Sequence, residues 1–337
     1  MLKRITIKDI AEATGFSPNT VSRALNDKPE IRPQTKTAIL EAAARLGYRP
    51  NKVAKGLRLN QRGIVGVVVA DVANPFFAAL VKGIEKAARD RGYSIILQDT
   101  DEKYEREEQA IQVLLSEQVD GLLITPVQSQ KGSIEEILRL QLPLVLVGRY
   151  FNDLQTDYVV PNDEQGGYVA TAHLLECGFR RIAMINGPLH ISSARERFEG
   201  YLRAFKEHGK KPNPQWIREG AITAEDGYSV GCALLQDHPR PTAIVAYSDF
   251  VAFGIARAIR EAGLKIPADV ALVGFDDTKL ASCLTVPLTT VRSPIQGMGE
   301  RAMECLAEKM SRGPLEVRYR EKLPMSLIVR ESTKLRE

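Results

Sequence analysis

Hydrophobic positions recur along this chain with two different spacings, and the change comes near residue 63. Up to residue 47 they return every three or four positions, which predicts short amphipathic helices. From Ile64–Val69 onward, short runs that are apolar throughout alternate with helical stretches such as 76–91. Continuously apolar runs are typical of parallel strands that are covered on both faces. The pattern therefore predicts a small helical head followed by an α/β body.

Strands and helices alternate in two consecutive series within the predicted body. The first series ends with the strand 144–147, and the second runs from the strand 157–160 to the strand 270–275. Two series predict two parallel-sheet subdomains with a cleft between them. Open parallel sheets bind ligands beyond the carboxyl ends of their strands. The loops that follow the strands are therefore where we expect a binding site.

The segment 6–26 carries the signals of two short helices joined by a tight turn. Thr6 can cap the first helix, Gly15 permits the reversal of the chain, and Ser17 can cap the second helix. Pro18 occupies the first position of the second helix, where its missing N–H costs nothing. Apolar residues then return at helical spacing in both halves of the segment, so each helix has one face to bury.

The second of these helices has a polar face that includes Asn19, Ser22 and Arg23. Asn and Arg are the side chains that make bidentate contacts with base edges in the major groove. A third helix over 33–46 would cover the apolar faces of the first two. The three helices together are typical of a helix-turn-helix DNA reader. An ordinary helical hairpin with a solvated face is the alternative.

The segment after residue 47 is a candidate hinge. A helix over 52–57, KVAKGL, is too short and too interrupted by glycine to be stable by itself. It would become helical only against DNA or against a second copy of the chain. A flexible linker is the alternative interpretation.

The charge distribution favours nucleic acid as a partner of the head alone. Residues 1–62 contain 13 Lys and Arg against 5 Asp and Glu, a net charge of +8, and the remaining residues contain 33 against 37. A basic head on a mildly acidic body is typical of a protein that contacts DNA through the head. No membrane-length apolar run, signal sequence or basic amphipathic anchor is evident, so we expect a cytoplasmic protein without membrane contact.

Motifs of catalysis and of metal binding are missing from the sequence. The four cysteines are widely spaced without a CxxC pair, which indicates reduced structural thiols. There is no P-loop, no GxGxxG after a strand, no GxSxG and no HExxH. We therefore expect no enzyme activity, no cofactor and no metal. An α/β enzyme and a DNA-tethered adaptor protein are the two alternatives, and the polar face of the second helix argues against the adaptor.

Polar side chains follow predicted strands in both halves of the body. Arg149 follows one strand, Arg197 follows another, and Ser248 and Asp276 follow two more. Arg offers a planar fork of donors and Asp accepts from adjacent hydroxyl groups, so we expect a small sugar or polyol as the ligand. The aromatic pair at 76–77 could stack on the apolar face of a sugar, and packing of its helix is the alternative.

Several sequence motifs, read in order, resemble those of the lac-repressor (LacI/GalR) family of bacterial transcription regulators. They are TIKDIAEATGFSPNTVSRALN and LGYRPNKVAKGL in the head, and ANPFF, VDGLLITP, INGP followed by SARERFEGY, AYSDFVAFG and IPADVALVGFDD in the body. The resemblance covers nearly the whole chain. It implies a repressor of carbohydrate-utilisation genes that binds a pseudo-palindromic operator as a homodimer. It also implies that a small sugar-like effector in the interlobe cleft controls operator affinity.

The resemblance implies a set of DNA-contacting residues in the head and hinge. The recognition helix is expected to span Pro18 to Asn26. In this family a hinge leucine wedges into the minor groove at the operator centre, and Leu57 occupies its place. The implied DNA-binding residues are Thr6, Ser17, Pro18, Asn19, Thr20, Ser22, Arg23, Asn26, Asn51, Ala54, Lys55 and Leu57.

In the body the resemblance implies two Rossmann-like parallel-sheet subdomains of periplasmic-binding-protein type. Three positions depart from the usual pattern: Ile222 stands where many members carry a stacking aromatic, Pro161-Asn162 replaces an acidic residue before Asn, and Arg32 replaces a Ser cap. The implied effector-binding residues are Asn74, Phe76, Phe77, Arg149, Ser193, Arg197, Ile222, Ser248 and Asp276. Among them, Arg197 and Asp276 are expected to act as the donor fork and the acceptor for neighbouring hydroxyl groups.

The resemblance also predicts where the domains begin and end. The helix-turn-helix head is expected over 1–49, the hinge helix and linker over 50–62, and the effector-binding and dimerisation core over 63–337. Within the core, the N-subdomain is expected at about 63–160 and 290–322. The C-subdomain is expected at about 161–289 and 323–337.

Overall fold

The computed structural model describes residues 5–48, 62–312 and 317–334. The chain divides into two compact units, Met1–Arg62 and Gly63–Glu337, which we call the head and the core and describe in turn. The predicted hinge helix over 52–57 lies outside the described residues. So do four of the predicted DNA-binding residues, which are Asn51, Ala54, Lys55 and Leu57.

The head consists of three short helices whose ends are fixed by local hydrogen bonds. Thr6 and Asp9 form the reciprocal capping box that begins the first helix, and Gly15 ends it in the left-handed backbone conformation. The Ser17 side chain accepts a hydrogen bond from the backbone N–H of Thr20, which caps the second helix. The helices are α1 (Ile7–Thr14), α2 (Pro18–Leu25) and α3 (Pro33–Arg45).

One small apolar cluster holds the three helices together. Ile10, Val21 and Ile39, one from each helix, are fully buried in it. The second helix ends at Leu25, one residue before the predicted end, and Asn26 follows it as the C-cap. Arg32 precedes α3 and its side chain makes no capping hydrogen bond, as expected from the missing Ser.

The first lobe of the core is a six-stranded sheet in which every strand runs parallel to its neighbours. The strands, numbered in chain order through the whole core, are β1 (Ile64–Val69), β2 (Ser94–Asp99), β3 (Gly121–Ile124), β4 (Leu144–Val147), β5 (Asp157–Pro161) and β11 (Arg320–Leu323); the helices are α4 (Pro75–Asp90), α5 (Tyr104–Ser116), α6 (Gly132–Arg139) and α11 (Ile295–Arg312). The order of the strands in the sheet is β2-β1-β3-β4-β5-β11. Helices α4 and α11 cover one face of the sheet, and α5 and α6 cover the other.

The second lobe is a second six-stranded sheet with helices on both faces. The strands are β6 (Ile182–Ile185), β7 (Ile217–Arg218), β8 (Ala243–Ala246), β9 (Ala271–Asp276), β10 (Thr289–Arg292) and β12 (Ser326–Ile328); the helices are α7 (Asp163–Glu176), α8 (Ser192–Glu207), α9 (Ala224–Leu235) and α10 (Asp249–Glu261). The order of the strands is β7-β6-β8-β9-β10-β12, and among the described strands only the edge strand β12 is antiparallel to its neighbour. Helices α9 and α10 cover one face of the sheet, and α7 and α8 cover the other.

The described chain passes between the two lobes three times. It crosses after Pro161, returns between Arg292 and Ile295, and crosses again between Leu323 and Ser326. The return comes later than the predicted residue 290, because the strand 289–292 pairs with β9 and so belongs to the second sheet. None of the described helices combines the length and the apolar composition that crossing a membrane requires.

Glycines allow helices α7 and α8 to approach each other at backbone distance. A Cβ atom built on Gly167 would lie 2.1 Å from the carbonyl oxygen of Arg197, and one built on Gly200 would lie 2.0 Å from the carbonyl oxygen of Glu164. Real Cβ atoms essentially never come this close to another atom. The position of α8, and of every side chain that it carries, is therefore set by glycine contacts with α7.

Candidate functional site

The second helix of the head presents a continuous accessible polar face. Asn19, Arg23 and Asn26 are exposed and Ser22 is half-buried, at the spacing that places them on one side of a helix. Val21 and Ala24, on the opposite side, are buried in the core of the head. The buried face fixes the helix while the polar face stays available to a partner.

Two predicted DNA-binding residues cap the starts of helices, and two others, on α2 and at its C-cap, already have intramolecular partners. Thr6 and Ser17 cap α1 and α2, so each sits at a helix N-terminus where backbone N–H groups suit a phosphate. Arg23 pairs with Glu30 at 3.2 Å on the surface, where both side chains are about half-exposed. Exposed pairs of this kind are weak, so the guanidinium can exchange Glu30 for another acceptor. The Asn26 amide donates to the Ser22 carbonyl oxygen at 2.7 Å.

One cavity lies between the two lobes of the core, at the carboxyl ends of the strands of both sheets. All nine residues that the sequence predicts for the effector site line it. From the first lobe these are Asn74, Phe76, Phe77 and Arg149; from the second lobe they are Ser193, Arg197, Ile222, Ser248 and Asp276.

Five further residues line the cavity without having been assigned to the site from the sequence. Two belong to loops that the sequence did single out, Gly148 beside Arg149 and Tyr247 beside Ser248. The others are Glu102, Thr125 and Pro161. Thr125 and Pro161 stand at the ends of β3 and β5, and Glu102 lies in the turn after β2. The rule that led to the predicted residues, that strand ends deliver the site, would have found these as well.

Arg197, in the second turn of α8, organises the polar groups of the second lobe. Its Nε donates to Asp163 Oδ1 at 2.7 Å, and its Nη1 donates to the carbonyl oxygen of Tyr247. Its guanidinium carbon also lies 4.1 Å from the centre of the Phe275 ring, a cation–π contact. Burial raises the pKa of the Asp163 carboxyl to about 6, although Arg197 opposes that shift. The guanidinium fork is thus partly occupied within the protein, and its Nη2 group remains for a ligand.

Asp276, the last residue of β9, lines the cavity, and its buried Oδ1 has no hydrogen-bond partner among the described residues. Its side chain is buried, and Arg197 Nη2 lies 3.9 Å from its Oδ1, beyond hydrogen-bond distance. Burial raises its pKa well above the ordinary value, against the opposing charge of Arg197. Its φ is positive, at 107, which is a strained conformation for a residue with a side chain. Strain and an unpaired buried acceptor coincide at functional sites.

Arg149 and Glu102 form a second buried ion pair, in the wall of the first lobe. Arg149 Nη1 donates to Glu102 Oε2 at 2.8 Å and its Nη2 donates to Glu102 Oε1 at 2.6 Å, a bidentate pair. Nη1 also donates to the carbonyl oxygen of Pro126 at 3.2 Å. Burial by itself would lower the pKa of Arg149, but the Glu102 carboxylate outweighs it and keeps the guanidinium charged.

Aromatic and hydroxyl groups complete the lining. Phe76 and Phe77 pack edge to face with ring centres 5.1 Å apart, where Asn74 caps their helix. Opposite them, Ser193 Oγ and the Tyr247 hydroxyl lie 2.9 Å apart. The remaining members have simple surroundings: Ser248 caps α10, Ile222 packs against the apolar core of the second lobe, and the buried hydroxyl of Thr125 has no hydrogen-bond partner in the described part of the chain.

A separate set of hydrogen bonds joins the lobes beside the cavity. Gln128 Oε1 accepts from the backbone N–H of Ser192 at 2.9 Å, and the backbone N–H of Tyr150 donates to Ser192 Oγ at 3.1 Å. Glu196 accepts from the Tyr150 hydroxyl and from Lys322 Nζ. The cavity volume is about 40 Å³, room for roughly three waters. These hydrogen bonds hold the two lobes together beside the cavity.

The arrangement offers acceptors, donors and aromatic faces. Among the described residues no group of three or more His, Cys, Asp or Glu side chains is placed to hold a metal ion. All four cysteines are free thiols. Such a lining, with carboxyl, guanidinium and hydroxyl groups beside aromatic rings, can bind a small molecule that carries several hydroxyl groups.

Two family models match the chain. The model described as "Bacterial regulatory proteins, lacI family" matches residues 6–51, and that described as "Periplasmic binding proteins and sugar binding domain of LacI family" matches residues 62–328. The HTH-type transcriptional repressor PurR of Pasteurella multocida is 32% identical over 332 residues, 98% of this chain and 99% of that protein. The Ribose operon repressor of Halalkalibacterium halodurans is 35% identical over 333 residues, with 98% and 97% covered.

Solved structures give the same assignment. A lac repressor dimer bound to operator and to the anti-inducer ONPF matches with a TM-score of 0.88 and 30% identity, covering 98% of this chain and 99% of that one. A complex of the transcriptional regulator CelR with cellobiose matches with a TM-score of 0.75 and 30% identity, covering 98% and 100%.

Proposed function

The chain belongs to the LacI family of bacterial regulatory proteins, and we propose that it represses carbohydrate-utilisation genes. A small sugar bound between the lobes raises or lowers its affinity for the operator. Membership of the family makes the protein a sequence-specific DNA-binding transcriptional regulator. The Ribose operon repressor among its relatives, and the sugar-binding model that matches the core, support carbohydrate genes as the target.

The head reads the operator with the polar face of α2. Asn19 and Arg23 make base contacts in the major groove, and Pro18 lies beside them on the same face. Thr6, Ser17, Thr20 and Ser22 contact phosphates, where the helix N-termini add favourable electrostatics. Asn26 follows the helix and takes part in the same surface.

Two copies of the chain bind a pseudo-palindromic site as a homodimer. The lac repressor neighbour is a dimer on its operator, which supports the same assembly here. A dimer of heads requires two half-sites at a fixed spacing. We also propose that Asn51, Ala54, Lys55 and Leu57 contact the minor groove at the operator centre.

The interlobe cavity is the effector site. The observation that carries this proposal is Asp276, a cavity-lining residue with a strained backbone whose buried Oδ1 has no hydrogen-bond partner among the described residues. A buried acceptor without a hydrogen-bond partner lowers the stability of the fold, unless a ligand donates a hydrogen bond to it. A sugar hydroxyl supplies that donor, and a neighbouring hydroxyl or ring oxygen accepts from Arg197. Thr125, on the opposite lobe, offers a second buried hydroxyl that no described group satisfies.

Ligand and operator are coupled through the geometry of the lobes. A ligand that favours one separation of the lobes shifts the equilibrium between conformations, and operator affinity changes by the same factor. The relatives are regulators, which supports a role without catalysis. We propose a cytoplasmic location, because bacterial operator DNA lies there.

Selection of bound duplexes from a random DNA pool tests the proposal. The full chain is used at near-physiological salt, because affinity depends steeply on salt concentration. We expect enrichment of a palindrome. The selection is repeated with a mixture of sugars, which covers the case in which the effector promotes binding. Failure to enrich any sequence in both selections, from a folded dimer, would contradict the proposed function.

A further inference from the structure

The turn after β2 holds Glu102 in a strained conformation that directs its carboxylate to the cavity. Asp101 and Glu102 both have positive φ, at 49 and 55, although neither is glycine. Two consecutive non-glycine residues in the left-handed conformation are uncommon and persist only where the surroundings enforce them. The turn is fixed by hydrogen bonds from the N–H of Glu102 to the carbonyl oxygen of Ala70 and from the N–H of Asp101 to Asp99 Oδ1.

Glu102 occupies the charged end of Arg149. The two oxygens of Glu102 take one hydrogen bond from each terminal nitrogen of the guanidinium, at 2.8 and 2.6 Å, and the carbonyl oxygen of Pro126 takes a third. The pair is largely dry, with the Arg149 side chain 5% and the Glu102 side chain 16% exposed. A guanidinium paired in this way has no fork left for an anionic ligand.

The rest of the described lining is equally short of free positive charge. Arg197, the other basic residue of the lining, lies between the carboxylates of Asp163 and Asp276. Near the Arg149 pair, the pKa of His190 is lowered, by burial and by the charge of Arg149, so its ring is neutral at physiological pH. The guanidinium groups of Arg149 and Arg197 thus lie among three carboxyl groups, which are those of Glu102, Asp163 and Asp276. A phosphate or carboxylate ligand would find both guanidinium groups already paired with carboxyl groups, so no unpaired cation of the described lining would compensate for the desolvation of its charge.

From this arrangement we propose that Glu102 is a specificity-determining residue that excludes phosphorylated and acidic sugars, so that the effector is an uncharged polyhydroxy compound. The inference rests on the proposed function and narrows its ligand class. It assigns to Glu102 a role through Arg149: the carboxylate neutralises the one guanidinium that the described first-lobe wall contains and fixes its position by two hydrogen bonds. Discrimination therefore depends on a charge and not on the volume of the cavity.

The test compares matched pairs of probes on the full-length dimer. Ribose with ribose 5-phosphate, glucose with glucose 6-phosphate, and fructose with fructose 6-phosphate are titrated by calorimetry after a thermal-shift screen. The wild-type protein is expected to bind a neutral sugar at least about tenfold more tightly than its phosphate ester. In Glu102→Gln, which keeps the shape and removes the charge, the affinity for the ester is expected to rise about tenfold or more.

Asp101→Asn is the matched control. It removes the same charge from the same strained turn, but Asp101 is exposed and pairs with Lys103 on the surface. The ratio of sugar to ester affinity should stay at the wild-type value in this variant. If Glu102→Gln does not fold, the ratio of sugar to ester affinity in the wild type still tests whether the site excludes phosphorylated sugars.

Each other outcome overturns a different claim. Tighter binding of an ester than of its neutral sugar by the wild type would refute the inference and leave the proposed function standing. Equal effects of Glu102→Gln and Asp101→Asn would remove Glu102 as the determinant. Absence of binding across sugars and esters alike would contradict the effector site itself, and the inference with it.

Discussion

Replacing Gly167 by alanine tests how firmly the structure holds the helix that carries Arg197. A Cβ atom at this position would lie 2.1 Å from the carbonyl oxygen of Arg197, whereas ordinary van der Waals contact begins at 3.4 Å. Helices α7 and α8 must therefore move apart until the added Cβ atom is close to 3.4 Å from the Arg197 carbonyl oxygen. The obstacle is backbone, so no side-chain rotation relieves it.

The expected cost follows from two opposing effects. Overpacking in a well-packed interior destabilises by about 1–3 kcal/mol. Alanine is preferred over glycine inside a helix by about 0.8–1 kcal/mol, which offsets part of that cost. With a rigid carbonyl oxygen as the neighbour we take the upper end of the first range, so Gly167→Ala should lower the free energy of unfolding by about 2 kcal/mol.

Urea unfolding measures this change, followed by far-UV circular dichroism and by the fluorescence of the single tryptophan, Trp216, which is buried in the second lobe. Gly297 in α11 provides the matched control, because a Cβ there would meet no described atom within 4 Å. Gly297→Ala should leave the free energy of unfolding unchanged or raise it by up to about 1 kcal/mol. A Gly167→Ala variant as stable as the control would show that the two helices are not held at this distance, and the reasoning would be wrong.

Three further predictions concern the cavity and the head. Asp276→Asn keeps a residue that tolerates positive φ and replaces one of the two carboxyl oxygens by an amide NH₂ that cannot accept from the ligand, so calorimetry should show about 10- to 150-fold weaker sugar binding; unchanged affinity would exclude Asp276 from the site. Burial raises the pKa of Asp163 from an ordinary 3.8 to about 6, so the folded state holds that proton more tightly. Relative to Asp163→Asn, wild-type stability should therefore fall by roughly 3 kcal/mol as the pH rises from about 3 to about 7, and a difference that is flat with pH in urea unfolding would refute this. Asn19→Ala should weaken binding to the selected operator by about 1–3 kcal/mol in a filter-binding assay, while Thr37→Ala, on the exposed side of α3, should not; equal effects would remove Asn19 from the reading face.

Local signals in the sequence were sufficient for the elements up to β9 and for most of the cavity, whereas β10, α11, β11 and β12 were not predicted. Thr6, Gly15 and Ser17 act over three or four residues, so helix starts and ends follow from neighbours in the chain. Continuous apolar runs predict the buried parallel strands, and the carboxyl ends of those strands lead to residues such as Arg197 and Asp276.

Contacts between residues that are far apart in the sequence could not be predicted in the same way. Asp163 stands at the start of α7 and has the sequence appearance of an ordinary acidic residue in a first helical turn. Only the packing of α7 on α8 brings its carboxylate to Arg197. Glu102 reaches Arg149 through a strained turn of non-glycine residues, and such strain has no sequence signal. The pairing that sets the charge of the cavity therefore becomes visible in the folded structure alone.

The most direct test of the central claim is a reciprocal linkage measurement with the selected operator and a sugar that binds. Operator affinity is measured with and without saturating sugar, and sugar affinity is measured with and without saturating operator. Coupling between two sites requires that both affinities change by the same factor. We predict equal factors of at least about fivefold in the wild type, and loss of both in Arg197→Ala with operator binding retained. A sugar that occupies the cavity and leaves operator affinity unchanged would contradict the account.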